Sequence, residues 1–347
     1  MAQLLPGFHE FRRQQAFSVK DIDHEFVRKY HPQFLAVGGM QAVYEIPKHP
    51  EIVVKAGLAY TRAVIVSNLN DGRPLDSCDR DIKDFLRGEI EEERDRFQLL
   101  KKYFGRDGVL AYKKFITKIP IAPGMRSRIF PRGADNHMQE AWSIVMVQKR
   151  TREIQSPDHL MVCSGYAESG KHGMVDQETY QRVTDAFIFG KSQHEPFDRE
   201  EFLSVQRTPA LRELLDQCDK DEECRKTLKE LIEKIIMYVQ DTDEILDLAG
   251  KDNLILYQKN GTWKYQFVDA LFPKANGLGE SRRALARASR GEGLSQEDRD
   301  MLLNGVNFVR TINGLAAYLG VPDRLSLRSP RFVPGRVNVL STLQIAA

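Results

Sequence analysis

Cysteine is scarce: Cys78, Cys163, Cys218 and Cys224 are the four in 347 residues. Thiols so few and dispersed do not make the framework of a disulfide-stapled domain, and the nearest pair, in "CDKDEEC", has neither metal-ligand spacing nor a nearby histidine. They read as free thiols. Long apolar runs are missing too. No window approaches the thickness of a bilayer, and the opening residues "MAQLLPGFHEFRRQQAF" have no apolar signal core. The expectation is a cytoplasmic protein with no membrane span, signal-less export to a host being left open. An excess of one charge is also lacking: 51 basic and 49 acidic residues interleave to a formal +2. That balance gives no reason to expect nucleic acid or a membrane surface as a partner. The one local excess, "ESRRALARASRGEG" with Arg282, Arg283, Arg287 and Arg290, reads as a solvated helix face. There is no internal repeat, no His-x-x-x-His pair and no Gly-x-Ser-x-Gly elbow.

What is present describes a folding chain: 41% hydrophobic and 29% charged residues, over a length that exceeds the usual single core. Residues 34–56 read as a meander of three strands: a run into Gly38-Gly39, then "AVYEI", then "EIVVKA". The polar stretch "SNLNDGRPLDSCDRD" reads as a loop. From Ile82 to Phe104 the period becomes helical, with Leu86, Ile90, Phe97, Leu100 and Phe104 on one face. Glu93 sits in that stripe, where an unpaired carboxylate is costly, so either the stripe bends away or a cation meets it. "LAYKKFITKIPI" and "AWSIVMVQKR" add strands, for about five strands and one helix by residue 150. Beyond lie mainly helices, one with the apolar face Leu228, Leu231, Ile232, Ile235, Ile236 and Val239, and a strand-turn-strand over 254–268. Trp142 and Trp263 read as strand packing. The fold class is therefore α+β, a small antiparallel-sheet N-lobe over 30–150 and a larger helical C-lobe over 151–347, preceded by an extension over 1–29.

The stretch "EILDLAGKDNLILYQKNGTWKYQFVDALFP", residues 244–273, holds the most specific signal. Asn-Gly between two apolar runs is a strong hairpin signature, and a hairpin brings its ends together. Asn253 at one foot and Asp269 at the other become neighbours, a pair of hard oxygen ligands suited to magnesium, or else two polar residues that merely flank a turn. Upstream, Lys55 closes the run "IVVK"; turned inward, Lys55 and Glu93 would satisfy one another. Gly38-Gly39 serves a tight hairpin or a loop that approaches a ligand.

In this order the elements resemble the protein kinase superfamily in its broad sense, including aminoglycoside-type and other atypical kinases, over roughly residues 30–275. The resemblance implies a two-lobed kinase-like fold, ATP and Mg2+ as cofactors, and transfer of the γ-phosphoryl group to a hydroxyl. "GGMQAVYEI" stands where the glycine-rich loop does, with Gly38, Gly39 and Val43 against the nucleotide and Ala42 in place of the last glycine. Lys55 matches the phosphate-binding lysine and Glu93 its helix partner. "VMVQK" matches the hinge, with Met146 and Val147 offering backbone groups to adenine. Asp247 matches the catalytic base, and Asn253 and Asp269 the metal ligands. The acceptor is a protein Ser/Thr, favoured by the helical tail after Asp269, or a small-molecule alcohol.

The chain departs from the family pattern at several points. Five residues separate Asp247 from Asn253 where four are usual, no His or Arg precedes Asp247, "DAL" replaces "DFG", and no APE motif follows. "TDEILDLAG" also fits a short helix stopped at Gly250, which would make Asp247 an ordinary helix residue. The alternative in a different class is a pseudokinase-type binding or regulatory module. A further motif, "GYAESGKH" at 165–172, fits a phosphate-binding loop until His172 stands where Ser or Thr would bind magnesium.

Overall fold

The computed structural model describes residues 19, 22–38, 41–132, 137–150, 159–163, 177–189, 197–206, 209–250, 252–272 and 276–328. The chain is mixed α+β and divides into two compact units, one of residues 1–95 with 111–150, the other of residues 96–110 with 151–347.

The first unit is built on an antiparallel sheet of β1 (Gln33–Val37), β2 (Gln41–Ile46), β3 (His49–Gly57), β4 (Tyr112–Pro120) and β5 (Glu140–Lys149), in the order β1-β2-β3-β5-β4. Strand alternation sorts its side chains onto two faces. Ala42, Tyr44, Val54, Ala56, Val145 and Val147 share one face, covered by α1 (His24–Tyr30) through Val27 and by α4 (Pro123–Ile129) through Met125 and Ile129. Residues 22–30 therefore belong to the sheet's core rather than to an extension over 1–29; seven residues of helix are too few to display a period. The other face carries Ile144, packed by Tyr60 and Val64 of α2 (Leu58–Asn70) and by Ile82 and Leu86 of α3 (Arg80–Phe104). α2 replaces part of the expected loop. Its sequence, "LAYTRAVIVSNLN", is apolar nearly all round, so it shows no helical stripe, and burial overrides the β-branched composition. The buried Asn68 amide then holds the connection to α3, donating to the carbonyls of Leu75 (3.1 Å) and Ser77 (2.9 Å).

The second unit contains the last turns of α3, a sheet β6 (Leu160–Met161), β7 (Leu254–Lys259) and β8 (Thr262–Phe267), and the helices α5 (Gln177–Ile188), α6 (Arg199–Ser204), α7 (Ala210–Lys220), α8 (Glu222–Thr242), α9 (Leu278–Ser289) and α10 (Gln296–Tyr318). The expected apolar face of α8, from Leu228 to Val239, is buried. Asp221 caps its start and Ser295, in a capping box with Asp298, starts α10. The arginines of α9 and of its C-cap behave as a solvated face, each paired with an acid: Arg282 with Asp243, Arg283 with Glu280, Arg287 with Asp298 and, at the cap, Arg290 with Glu292. Among the described residues no helix is long and apolar enough to cross a membrane.

α9 and α10 meet at Gly305, where an added Cβ would lie 2.6 Å from Cβ of the buried Ser281. In an open helix, Gly→Ala stabilises by about 1 kcal/mol; here overpacking, at about 1–3 kcal/mol, wins. Gly305→Ala should therefore lower the urea midpoint, and a raised midpoint would contradict this close approach.

Candidate functional site

The hairpin forms in the register that places its feet together. β7 and β8 pair from Leu254↔Phe267 to Lys259↔Thr262, closed by Asn260 (φ 54°) and Gly261 (φ 77°), both left-handed as a type I′ turn requires. Pairing continues past the strands. The Asn253 carbonyl accepts from the N–H of Val268 (2.9 Å) and of Asp269 (3.4 Å), while the Asn253 amide donates to the Asp247 carbonyl (3.0 Å). Asp247 N–H in turn donates to the Ala270 carbonyl (2.8 Å). Three residues named from the sequence are thus gathered by one backbone-centred node.

Asp247 is not in a helix. α8 stops at Thr242 because Asp243 turns left-handed (φ 60°), and the following residues are claimed by neighbours, Ile245 N–H bonding to Asn276 (2.9 Å). The longer spacer is absorbed by turns. Asp247 Oδ1 accepts from the N–H of Ala249 (3.0 Å) and Gly250 (3.4 Å), and Asp252 takes a left-handed φ of 62°, a conformation Asp tolerates. Gly250 is needed for room: a Cβ there would come 2.6 Å from Asn253 Cγ. His159, just before β6, steadies the same loop with Nε2 3.0 Å from Asp252 Oδ1.

Burial dominates the electrostatics. It pushes the Asp247 carboxyl up from the ordinary 3.8 to about 6, reinforced by the negative charge of Asp269 and opposed by the two backbone N–H groups on Oδ1. Three residues earlier in the chain, Glu244 is 7% exposed and anchors the segment: Arg96 Nε donates to its Oε1 (2.7 Å) and the Tyr238 hydroxyl to its Oε2 (2.7 Å). Burial, then the neighbouring Glu244, raises the Tyr238 phenol well above its ordinary value. Arg96 and Glu244 escape sequence reasoning. A signal existed for Arg96, one helical turn beyond Glu93 on the same face.

The donor set suits a hard cation. Asp247 and Asp269 bring carboxylates, and Asn253, whose Nδ2 is spent on Asp247, brings an amide oxygen. Among the described residues no group of three or more His, Cys, Asp or Glu side chains could hold a metal. A cation here would rest on these few oxygens plus water or phosphate, as Mg2+ commonly does.

In the first unit, β3, β5 and β4 place Lys55, Met146 and Lys114 opposite one another, and β2 adds Val43 opposite Lys55. Directly opposed residues share a face. Glu93, 7% exposed, accepts from Lys114 Nζ on one carboxylate oxygen and from the Tyr112 hydroxyl (2.9 Å) on the other. The expected Lys55–Glu93 pair is therefore corrected to Glu93 with Lys114 and Tyr112. The physical reason is that the sheet face carries two lysines in one row, which the linear sequence does not reveal. The hinge assignment is also corrected: Met146 and Val147 lie inside β5, paired with β3 on one side and β4 on the other, so their backbone groups serve the ladder. Gly38 N–H bonds to Gln41 (2.8 Å) and its carbonyl accepts from Arg128. Gly39 and the motif at 165–172 lie outside the described residues.

A raised folded-state pKa makes Asp247 cost stability as pH climbs. Below about 4 both folded and unfolded chains hold the proton; between about 4 and 6 only the folded chain does, so stability falls through this window and levels above it. Asp247→Asn, which mimics the protonated form, should gain up to about 2–3 kcal/mol relative to wild type across that window. Urea unfolding at several pH values checks it, and parallel pH curves would contradict the raised carboxyl. Comparison with family models, with curated proteins and with solved structures finds no match for this chain.

Proposed function

We propose that this protein is an ATP- and Mg2+-dependent phosphotransferase of two-lobed, protein kinase-like design, passing the γ-phosphoryl group to a hydroxyl. The observation that carries the reading is the node joining Asp247, Asn253 and Asp269, with a base whose carboxyl is pushed up to about 6. Bound magnesium would supply positive charge that offsets the charge developing on the phosphates. Asp269 and Asn253 would hold it. Asp247 takes the proton of the acceptor hydroxyl, and a base titrating near the working pH is well matched to that task. Lys55 attracts the nucleotide phosphates, while Glu93 keeps Lys114 in place and neutralised. The acceptor is a protein Ser/Thr in preference to a small molecule, and the site of action is the cytoplasm, with signal-less export to a host as the other route.

A second reading, a binding or regulatory module on a kinase-like fold, is favoured by one observation: Glu93, the helix partner that the resemblance assigns to Lys55, is bonded to Lys114 and Tyr112.

Incubation of the full chain with γ-labelled ATP and Mg2+ separates the two. Wild type should transfer label; Asp247→Asn should lower kcat by about 10²–10⁴-fold with KM for ATP little changed, and Asp269→Ala should abolish transfer. A nucleotide-dependent rise in Tm without transfer would establish the binding module. Transfer unaffected by either substitution would overturn the enzyme reading at this site.

A further inference from the structure

The corner between α7 and α8 unites two of the dispersed thiols. α7 ends at Lys220 and α8 begins at Glu222, so Asp221 alone turns the chain, in an extended conformation (φ −136°, ψ 106°). Its Oδ1 accepts from the N–H of Glu223 (3.0 Å) and Cys224 (3.1 Å), which locks the first turn of α8 against the last turn of α7. Cys218 Sγ and Cys224 Sγ then lie 3.6 Å apart. The sulfurs are buried, at 2% and 0% residue exposure, beside a turn whose Asp219, Lys220, Glu222 and Glu223 are exposed. Other elements brace the corner: Trp263 Nε1 donates to Asp221 Oδ2 (2.7 Å), and Arg199 and Arg225 each pair with Asp219 at 3.6 Å.

We propose that Cys218 and Cys224 form a redox-active pair that closes to an intramolecular disulfide under hydrogen peroxide. The sulfur of one thiol attacks a peroxide oxygen, the O–O bond breaks, and a sulfenic acid and one water result. The second sulfur attacks the sulfenic sulfur, the S–O bond breaks, and a second water leaves as the S–S bond forms. Two thiols thereby give two protons and two electrons to one peroxide. The second step sets this pair apart from a lone buried thiol: a resolving sulfur stands 3.6 Å away, already in contact, with the bonded distance of about 2.0 Å left to close, whereas a sulfenic acid without one goes on to sulfinic acid. The spacing is also favourable, since the ring closes over a corner that the Asp221 cap already holds. Oxidation thus staples α7 to α8 where β8 docks through Trp263.

The test uses the reduced full chain treated with a slight excess of hydrogen peroxide under native conditions, then alkylated and digested with trypsin. Cleavage after Lys220 separates the two cysteines, so the disulfide appears as two linked peptides whose joint mass is lower by two hydrogens. The expected result is that linkage, reversed by dithiothreitol, with Tm raised by several degrees in the oxidised form and unchanged in peroxide-treated Cys218→Ser. In Cys218→Ser, dimedone should instead trap Cys224 as its sulfenic acid. Retention of both thiols in the native protein, oxidation halting at sulfenic or sulfinic acid in wild type, linkage to Cys78 or Cys163, or linkage seen only in denaturant would each overturn the proposal.

Discussion

The candidate site depends on the hydrogen bonds of Asn253. Its carbonyl receives the first N–H groups beyond β8, and its side-chain amide reaches back to the carbonyl of Asp247. A single residue thereby ties the end of a hairpin to a segment that precedes it, and fixes the separation of two carboxylates that would otherwise repel one another. That repulsion adds to the outcome: burial first, and the charge of Asp269 with it, pushes the Asp247 carboxyl up to about 6. The same arrangement explains why Gly250 must be small, since any side chain there would displace Asn253.

Each unit also contains a buried acid satisfied in the same manner, by one cation and one phenol. In the first, Glu93 meets Lys114 and Tyr112; in the second, Glu244 meets Arg96 and Tyr238. Burying a carboxylate is tolerable when its lone pairs are all engaged, and removal of one partner from such a cluster costs about 3–5 kcal/mol. α3 supplies a member to each cluster, Glu93 in one and Arg96 in the other. The acid that interrupts the helix's apolar stripe is thus explained within its own unit, without recourse to the nucleotide.

Where the chain was readable, local chemistry set the answer. Asn260-Gly261 demands a two-residue turn, the turn sets the register, and the register brings Asn253 to Asp269. The five strands of the first sheet and the apolar face of α8 follow from their periods in the same way. Where reading failed, the cause was non-local. α2 shows no polar stripe because its exposed side carries Ala59, Ala63 and Leu69 while its buried side includes Thr61 and Asn68, so composition does not mark which face is covered. The partner of Glu93 depended on which of two lysines in one sheet row lies within reach of it, a matter of strand order rather than of spacing. Met146 and Val147 looked like a connector only because the sequence does not mark where β5 stops. Asp247, with its longer spacer, had a helical alternative that the left-handed turn at Asp243 removes.

The central claim is that Asp247, Asn253 and Asp269 form one site for magnesium and nucleotide phosphate. Carboxyl carbon NMR of the full chain, with Mg2+ titrated in the presence of a non-hydrolysable ATP analogue, tests it most directly. The account predicts saturable shifts of the Asp247 and Asp269 carboxyl signals together, requiring both metal and nucleotide and lost in Asn253→Ala while the fold is retained. Signals that stay in place at saturating Mg2+ and nucleotide would contradict it.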